Sequence, residues 1–197
     1  MIDASEKPYE DIVRETNLVF RLAENFVVSV EAELGRIGTT DFVETDADEH
    51  LLTVPEEAGT FVRDTGVDAL AVSVGTAHGH YLVRQPRIDY ERLRRIRQAT
   101  GIPLVLHGGS GVPAQMMRQA IGLEGGGISK VNIATDLEAA LLEAIGMSEG
   151  MRSEAFDAFP ESLRARGISA VERVVSEKLY GFLTDGGGAV ASFRLGR

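Results

Sequence analysis

The chain has no cysteine among its 197 residues. Disulfides, thiolate nucleophiles and cysteine-ligated zinc are therefore excluded, and any transition-metal site must draw on histidine and carboxylate. Lysine is scarce: Lys7, Lys130 and Lys178 are the only ones, so most positive charge is arginine. Basic residues as a whole are outnumbered, 20 against 30 acids, for a net charge of −10. That balance argues against nucleic acid or an anionic membrane as the main partner. No apolar run approaches the roughly 20 residues that a membrane helix needs. Met1-Ile2-Asp3-Ala4 reads as neither a signal nor a transit peptide. The expectation is a cytoplasmic protein.

What is present is ordinary globular composition, 44% hydrophobic and 25% charged. One substantial core fits this length, and the chain is expected to form a single domain over residues 1–197. Its organising stretch is Leu104-Val105-Leu106-His107-Gly108-Gly109-Ser110-Gly111-Val112-Pro113. An apolar strand runs into a histidine and a glycine-rich turn, with Pro113 placed to start a helix. Around it, strands and helices alternate. Met1 to Ser5 reads as a strand end. A helix follows Pro8, with Ile12, Thr16, Val19, Phe20 and Ala23 on one face. Phe26 to Leu34 reads as a strand, Gly38 to Thr53 as an acidic loop, and Pro55 as the start of a helix stopped by Gly66. Ala69 to Val74 is a strand, Asp89 to Thr100 a helix, Ala114 to Gly122 a helix and Ser129 to Ile133 a strand. Leu137, Ala140, Leu141, Ala144 and Ile145 line a further helix. A long last one lies within 162–182, before a glycine-rich tail from Asp185.

About five βα units at this spacing imply an α/β fold with a parallel sheet. Polar residues recur at the carboxyl ends of the strands: Asp3, Glu33, His78, His107 and Asn132. In a (β/α)8 barrel those ends form the face that carries the active site. Five strands do not close such a barrel, and three more would lie before Met1.

His78 and His107 each follow an apolar strand and precede a glycine, which suits a shared Zn²⁺, Co²⁺ or Fe²⁺ site. Each alone is also compatible with a hydrogen-bonded histidine at a strand end. His50 and His80 have weaker context. Glu31 and Glu33 alternate on one strand and share a face, where a buried carboxylate must be paired or metal-bound. The glycine-rich turn after His107 and the stretch Asn132-Ile133-Ala134-Thr135 can offer backbone donors to a phosphate. Gly146-Met147-Ser148-Glu149-Gly150 matches a nucleophile elbow, but a helix rather than a strand precedes it and no histidine follows it. Lys130 is the one lysine placed for a Schiff base, at the start of its strand and so at the wrong end.

The motifs Val30-Glu31-Ala32-Glu33-Leu34-Gly35, Gly75-Thr76-Ala77-His78-Gly79, His107-Gly108-Gly109-Ser110-Gly111 and Lys130-Val131-Asn132-Ile133-Ala134-Thr135-Asp136 together resemble the class II, metal-dependent ketose-bisphosphate aldolases. These include the fructose-1,6- and tagatose-1,6-bisphosphate enzymes. The resemblance runs in order from Asp3 to about Phe182. It implies a TIM barrel, here an incomplete one. It also implies reversible cleavage of a ketose bisphosphate to dihydroxyacetone phosphate and an aldehyde, a step of glycolysis and carbohydrate metabolism. His78 and His107 match two of three zinc ligands. Asp3 and Glu33 match carboxylates at a second metal or monovalent-cation position. Gly79, Gly108, Gly109, Ser110, Asn132, Ile133, Ala134 and Thr135 match the residues that hold dihydroxyacetone phosphate. Zinc in such a site acts as a Lewis acid on the ketone.

The family's third histidine and its catalytic aspartate form an Asp-His pair that this sequence does not contain. Asp41 or Glu44 stands where the family's proton-moving loop acid would be. A homo-oligomer or an N-terminal partner fragment is the expected assembly. The alternative to an active enzyme is a truncated, non-catalytic metal- and phosphate-binding subunit that complements another polypeptide.

Overall fold

A computed structural model describes residues 1–37, 51–79, 81 and 85–183. The chain divides into two compact units, Met1–Val112 with Gln119–Asn132, and Pro113–Arg118 with the chain from Ile133 onward. Among the described residues no helix is long and apolar enough to cross a membrane.

The first unit is a four-stranded parallel sheet of β1 (Glu31–Leu34), β2 (Ala69–Val72), β3 (Leu104–Leu106) and β4 (Ile128–Val131), in the order β1-β2-β3-β4. Strand order that follows chain order without a reversal is the winding of a barrel rather than of a doubly wound sheet. The expected first strand survives as one parallel bridge, Ile2 to Ala32. There the Ile2 N–H donates to the Glu31 carbonyl at 2.8 Å. The helices of this unit are α1 (Tyr9–Glu24), α2 (Pro55–Thr65) and α3 (Tyr90–Thr100); α4 (Ala114–Ile121) divides between the units.

Local chemistry explains these limits. Pro55 occupies the first turn of α2, where its missing N–H costs nothing. The Asp89 carboxylate caps α3 by accepting the Arg92 N–H at 2.9 Å. Register then sorts the sheet's two faces. Ala32, Leu70, Leu104 and Ile128 fall in one row, and Glu33, Ala71, Val105 and Lys130 in the next. Partnered residues of a parallel sheet share a face and successive residues alternate. One face is therefore apolar, while the other carries acids and a lysine at its edges with Ala69, Ala71 and Val105 between; a register irregularity at Leu104/Val105 puts Lys130, two residues after Ile128, in the row of Val105. Phe61, Leu70, Leu93, Ile96, Leu104 and Leu106 are fully buried and form the core of this unit.

The second unit contains α5 (Thr135–Ile145), α6 (Ser153–Asp157) and α7 (Glu161–Leu183). Gly167 lets α7 approach α5 closely: a Cβ there would lie 2.6 Å from Leu141 Cδ1. The short α6 carries no amphipathic repeat, so periodicity did not signal it.

The strand expected from Phe26 begins only at Glu31. The β-branched run Val27-Val28 is spent on closing α1 instead. The Val28 N–H bonds the Ala23 carbonyl and the Val27 N–H that of Glu24, the paired bonds of a Schellman closure. Val27 occupies its left-handed position, with φ +55°, and is 97% exposed. Strand β4 likewise sits slightly earlier than Ser129–Ile133, which moves Lys130 from the strand's start toward its carboxyl end. Of the acidic loop only 51–53 is described; Asp41, Glu44, His50, His80 and the tail from Asp185 lie outside the described residues.

A β-branched residue in the left-handed region carries a penalty of about 1–2 kcal/mol that glycine does not. Val27→Gly is therefore expected to raise stability by about 1 kcal/mol after glycine's greater unfolded-state entropy is subtracted. The midpoint of urea unfolding reads this directly; an unchanged or lowered midpoint contradicts it.

Candidate active site

His107 is the first residue after β3 and is 5% exposed. Both its ring nitrogens meet carboxylates. Nε2 lies 3.1 Å from Glu31 Oε1 and Nδ1 lies 3.1 Å from Glu33 Oε2. Glu33, 4% exposed, has its charge met by the imidazole alone among the described ion pairs. Glu31 has a second partner, Lys130, whose Nζ stands 2.7 Å from Oε2. The chain thus folds four side chains into one line: Lys130, Glu31, His107 and Glu33.

Three separate strands deliver them. Glu31 and Glu33 come from β1, His107 from the end of β3 and Lys130 from β4. In a flat sheet β1 and β4 would stand about 14 Å apart, three strand spacings. The ion pair between them requires a sheet curled toward this face, and the intervening Ala69 and Ala71 leave room for the long side chains.

Electrostatics follows from that line. The hydrogen bond to Glu33 raises the His107 pKa above its ordinary value; burial opposes this, and Glu31 adds to the rise. Burial pushes Glu31 upward, but the hydrogen bonds from Lys130 and His107 outweigh it and hold its carboxyl below the ordinary range.

His78 stacks on His107 with ring centroids 5.9 Å apart, and is exposed. The two histidines are not equivalent in their strands, because His78 lies six residues beyond the end of β2. What joins them is backbone packing between the loops. A Cβ on Gly108 would fall 2.4 Å from the Ala77 carbonyl oxygen, and Gly108 has φ +67°. The Thr76 hydroxyl donates to the His107 carbonyl at 2.8 Å. The Tyr81 hydroxyl accepts the Ala77 N–H at 2.9 Å. Glycine at 108 is thus the condition for the two rings to meet.

The remaining sequence candidates fall as follows. Asp3 is exposed, and its Oδ1 accepts both the Ser5 N–H at 3.0 Å and the Ser5 hydroxyl at 2.7 Å. Its backbone follows Ile2, so alternation puts it on the Glu33 face of the sheet. Ser110 is buried. The Gly109 N–H is committed to the Asn132 carbonyl at 3.0 Å and so is not itself a donor to a phosphate. Asn132 belongs to the first unit; Ile133, Ala134 and Thr135 belong to the second, where Ala134 precedes α5 with no side-chain cap. Gly79 has φ +111°. The elbow-like Ser148 follows helix α5, as expected. Lys130 is the correction: it faces the acids, and its ammonium, held by Glu31, has no lone pair for a Schiff base. Tyr81 was missed because nothing in its spacing marks it.

A divalent cation fits part of this arrangement. The His107 Nδ1 and Glu33 Oε2 donors, 3.1 Å apart, stand close to the separation of two ligands on one tetrahedral zinc, about 3.3 Å at metal–ligand distances near 2.0–2.1 Å. The donor types suit zinc or a similar ion. Among the described residues, no group of three or more such side chains is assembled around one point.

Two outcomes follow. Gly108→Ala places a side chain in left-handed backbone against the Ala77 carbonyl, and is expected to cost at least about 2 kcal/mol and to separate the histidine loops; unchanged thermal unfolding contradicts this. In chelator, His107 holds its proton more tightly folded than unfolded. Its stabilising contribution is therefore full below about pH 6.5 and is lost as pH rises through the raised folded value. Denaturant midpoints of the wild type and His107→Gln should converge across that window; parallel curves contradict it.

A family model for fructose-bisphosphate aldolase class-II matches residues 1–186. The YdjI aldolase from Escherichia coli K12 is 32% identical with a TM-score of 0.72, over 94% of this chain and 61% of that one. A candidate fructose-1,6-bisphosphate aldolase from Coccidioides immitis is 31% identical with a TM-score of 0.68, over 89% of this chain and 61% of that one. Fructose-bisphosphate aldolase (Fba) from Campylobacter jejuni, 21% identical with a TM-score of 0.67 over 92% of this chain and 59% of that one, shares the fold. The chain thus spans about three fifths of the length of these structures. With the parallel, singly wound sheet and the acids and histidines gathered on one of its faces, the match over nearly all its residues means that the chain belongs to the class II fructose-bisphosphate aldolase family.

Proposed function

We propose that this chain carries the metal and dihydroxyacetone-phosphate half of a zinc-dependent aldolase site. The reaction is cleavage of a ketose 1,6-bisphosphate of the fructose or tagatose type to dihydroxyacetone phosphate and an aldehyde. The observation that carries this reading is His107, held between Glu31 and Glu33 and stacked on His78. His107, His78 and Glu33 are the residues that would hold the ion, and Asp3 shares their face of the sheet. A bound divalent ion supplies Lewis-acid polarisation of the substrate ketone.

The chain's own residues do the rest. The buried carboxylate of Glu33, beside His107 Nδ1, would hold a cation's positive charge on this face of the sheet. Gly79, Gly108, Ser110 and Asn132 support the phosphate end, and fixing that remote end orients the reacting carbons. Gly109 serves this loop by tying it to Asn132. Asp41 or Glu44 is the candidate proton carrier. Cytoplasmic glycolytic or related carbohydrate metabolism is the setting this chemistry suits.

A second reading has its own support. No three-ligand group is assembled among the described residues. That favours a metal- and phosphate-binding subunit completed by another polypeptide or by further copies of the chain.

The deciding assay is cleavage of fructose-1,6- and tagatose-1,6-bisphosphate by the purified chain, with added zinc and with chelator. Chelator-sensitive cleavage abolished by His107→Ala is expected of the enzyme. Zinc binding without cleavage supports the subunit reading. Cleavage that survives both chelator and His107→Ala overturns both.

A further inference from the structure

His78 stands in a loop rather than beside a strand. It lies six residues beyond β2, it is exposed, and the residue after it, Gly79, has φ +111°. Such a loop keeps one conformation only if its backbone groups are bonded. Ala77, just before the histidine, is fully buried, so its N–H must find an acceptor. Among the described hydrogen bonds that acceptor is the Tyr81 hydroxyl, at 2.9 Å. The tyrosine side chain thus reaches back four residues and closes the loop that carries His78 and Gly79. The hydroxyl also has a proton to give. Two carbonyl oxygens face it, Ala77 at 3.4 Å and Gly108 at 3.5 Å, both long for an O–H···O bond. The ring is seated as well: a Cβ on Gly111 would lie 3.0 Å from Tyr81 Cδ2.

The geometry points to Tyr81 as a positioning residue: its hydroxyl holds the backbone that carries His78, its ring rests on Gly111, and one side chain so ties the loop after β2 to the glycine-rich turn after β3. The inference rests on the aldolase reading above, in which His78 meets a cation and Gly79, Gly108 and Ser110 support a phosphate. It names the residue that keeps those groups in register. Thr76 uses the same device on the other side of His78. Its hydroxyl donates to the His107 carbonyl at 2.8 Å, and the Tyr81 hydroxyl faces the next carbonyl along, that of Gly108. The C=O and N–H of a trans peptide point in opposite directions. The Gly108–Gly109 peptide unit is therefore flanked on both sides, because its N–H donates to the Asn132 carbonyl at 3.0 Å. Phenylalanine at position 81 would fill the same space but leave the Ala77 N–H buried without that acceptor, which is the costly change.

The test uses the full chain as wild type and three variants. Tyr81→Phe keeps the ring, Tyr81→Leu loses ring and hydroxyl, and Ile96→Val loosens the core of the same unit from α3. The first measurement needs no ligand: proton NOEs between the rings of His78 and His107, whose centroids are 5.9 Å apart, and amide exchange at Ala77. Wild type and Ile96→Val are expected to show the NOEs. Tyr81→Phe is expected to lose them, and its Ala77 amide to exchange about 5-fold faster relative to the slowest amides of the unit. The second measurement is affinity for Co²⁺ and, separately, for inorganic phosphate. Tyr81→Phe is expected to weaken each by about 3- to 10-fold and Tyr81→Leu by more, with Ile96→Val near wild type. Ring contact and Ala77 exchange in Tyr81→Phe equal to wild type overturn the inference. So do affinity losses in Ile96→Val that match those of Tyr81→Phe, which would trace the effect to stability alone. If the wild type binds neither probe, the aldolase reading fails; the ring contact and amide exchange of the ligand-free protein still decide the role of Tyr81.

Discussion

An imidazole held at both nitrogens by carboxylates is a demanding arrangement to bury, because two negative charges and a ring must be satisfied with little water at hand. The fold meets that demand with one ammonium and with curvature. Lys130 offsets Glu31, His107 offsets Glu33, and neither contact forms unless β1, β3 and β4 curl toward one another. The winding of the sheet, the small residues on its inner face and the close approach of the histidine loops at Gly108 all serve this cluster.

The two sheet faces divide the work. Large apolar residues on one face, with Phe61, Leu93 and Ile96 from α2 and α3, supply the burial that stabilises the first unit. The other face gives up that contribution at Glu31, Glu33 and Lys130. Such a local departure from an apolar core marks a site rather than a scaffold. The glycine-rich turn after His107 is part of the same economy: Gly109 is tied to Asn132 and Gly108 fits under Ala77, so the loop is fixed by backbone contacts.

Where reading of the sequence and the structure part, the reason is usually competition for the same residues. Phe26, Val27 and Val28 have strand composition, yet their N–H groups close α1. Helix α6, of five residues, is too short to show a period. The sequence pattern sets β4 a residue or two late and so puts Lys130 at the strand's wrong end, whereas the structure pairs it with Glu31. Strand ends are decided by hydrogen bonding to neighbours, and a single strand's sequence does not contain them.

The sequence by itself determined the alternation of strands and helices, the helix limits at Pro55, Gly66 and Asp89, and the kinship carried by four motifs in order. All of these are local patterns, set within a turn or a strand. It also marked Glu33, His78 and His107 as candidates, because polar residues after apolar strands are conspicuous. Only the tertiary structure decided which of them meet and through which atoms. Glu31 lies 76 residues from His107 and 99 from Lys130. Contacts over such separations exist only once the sheet has curled and brought its first and last strands to one face.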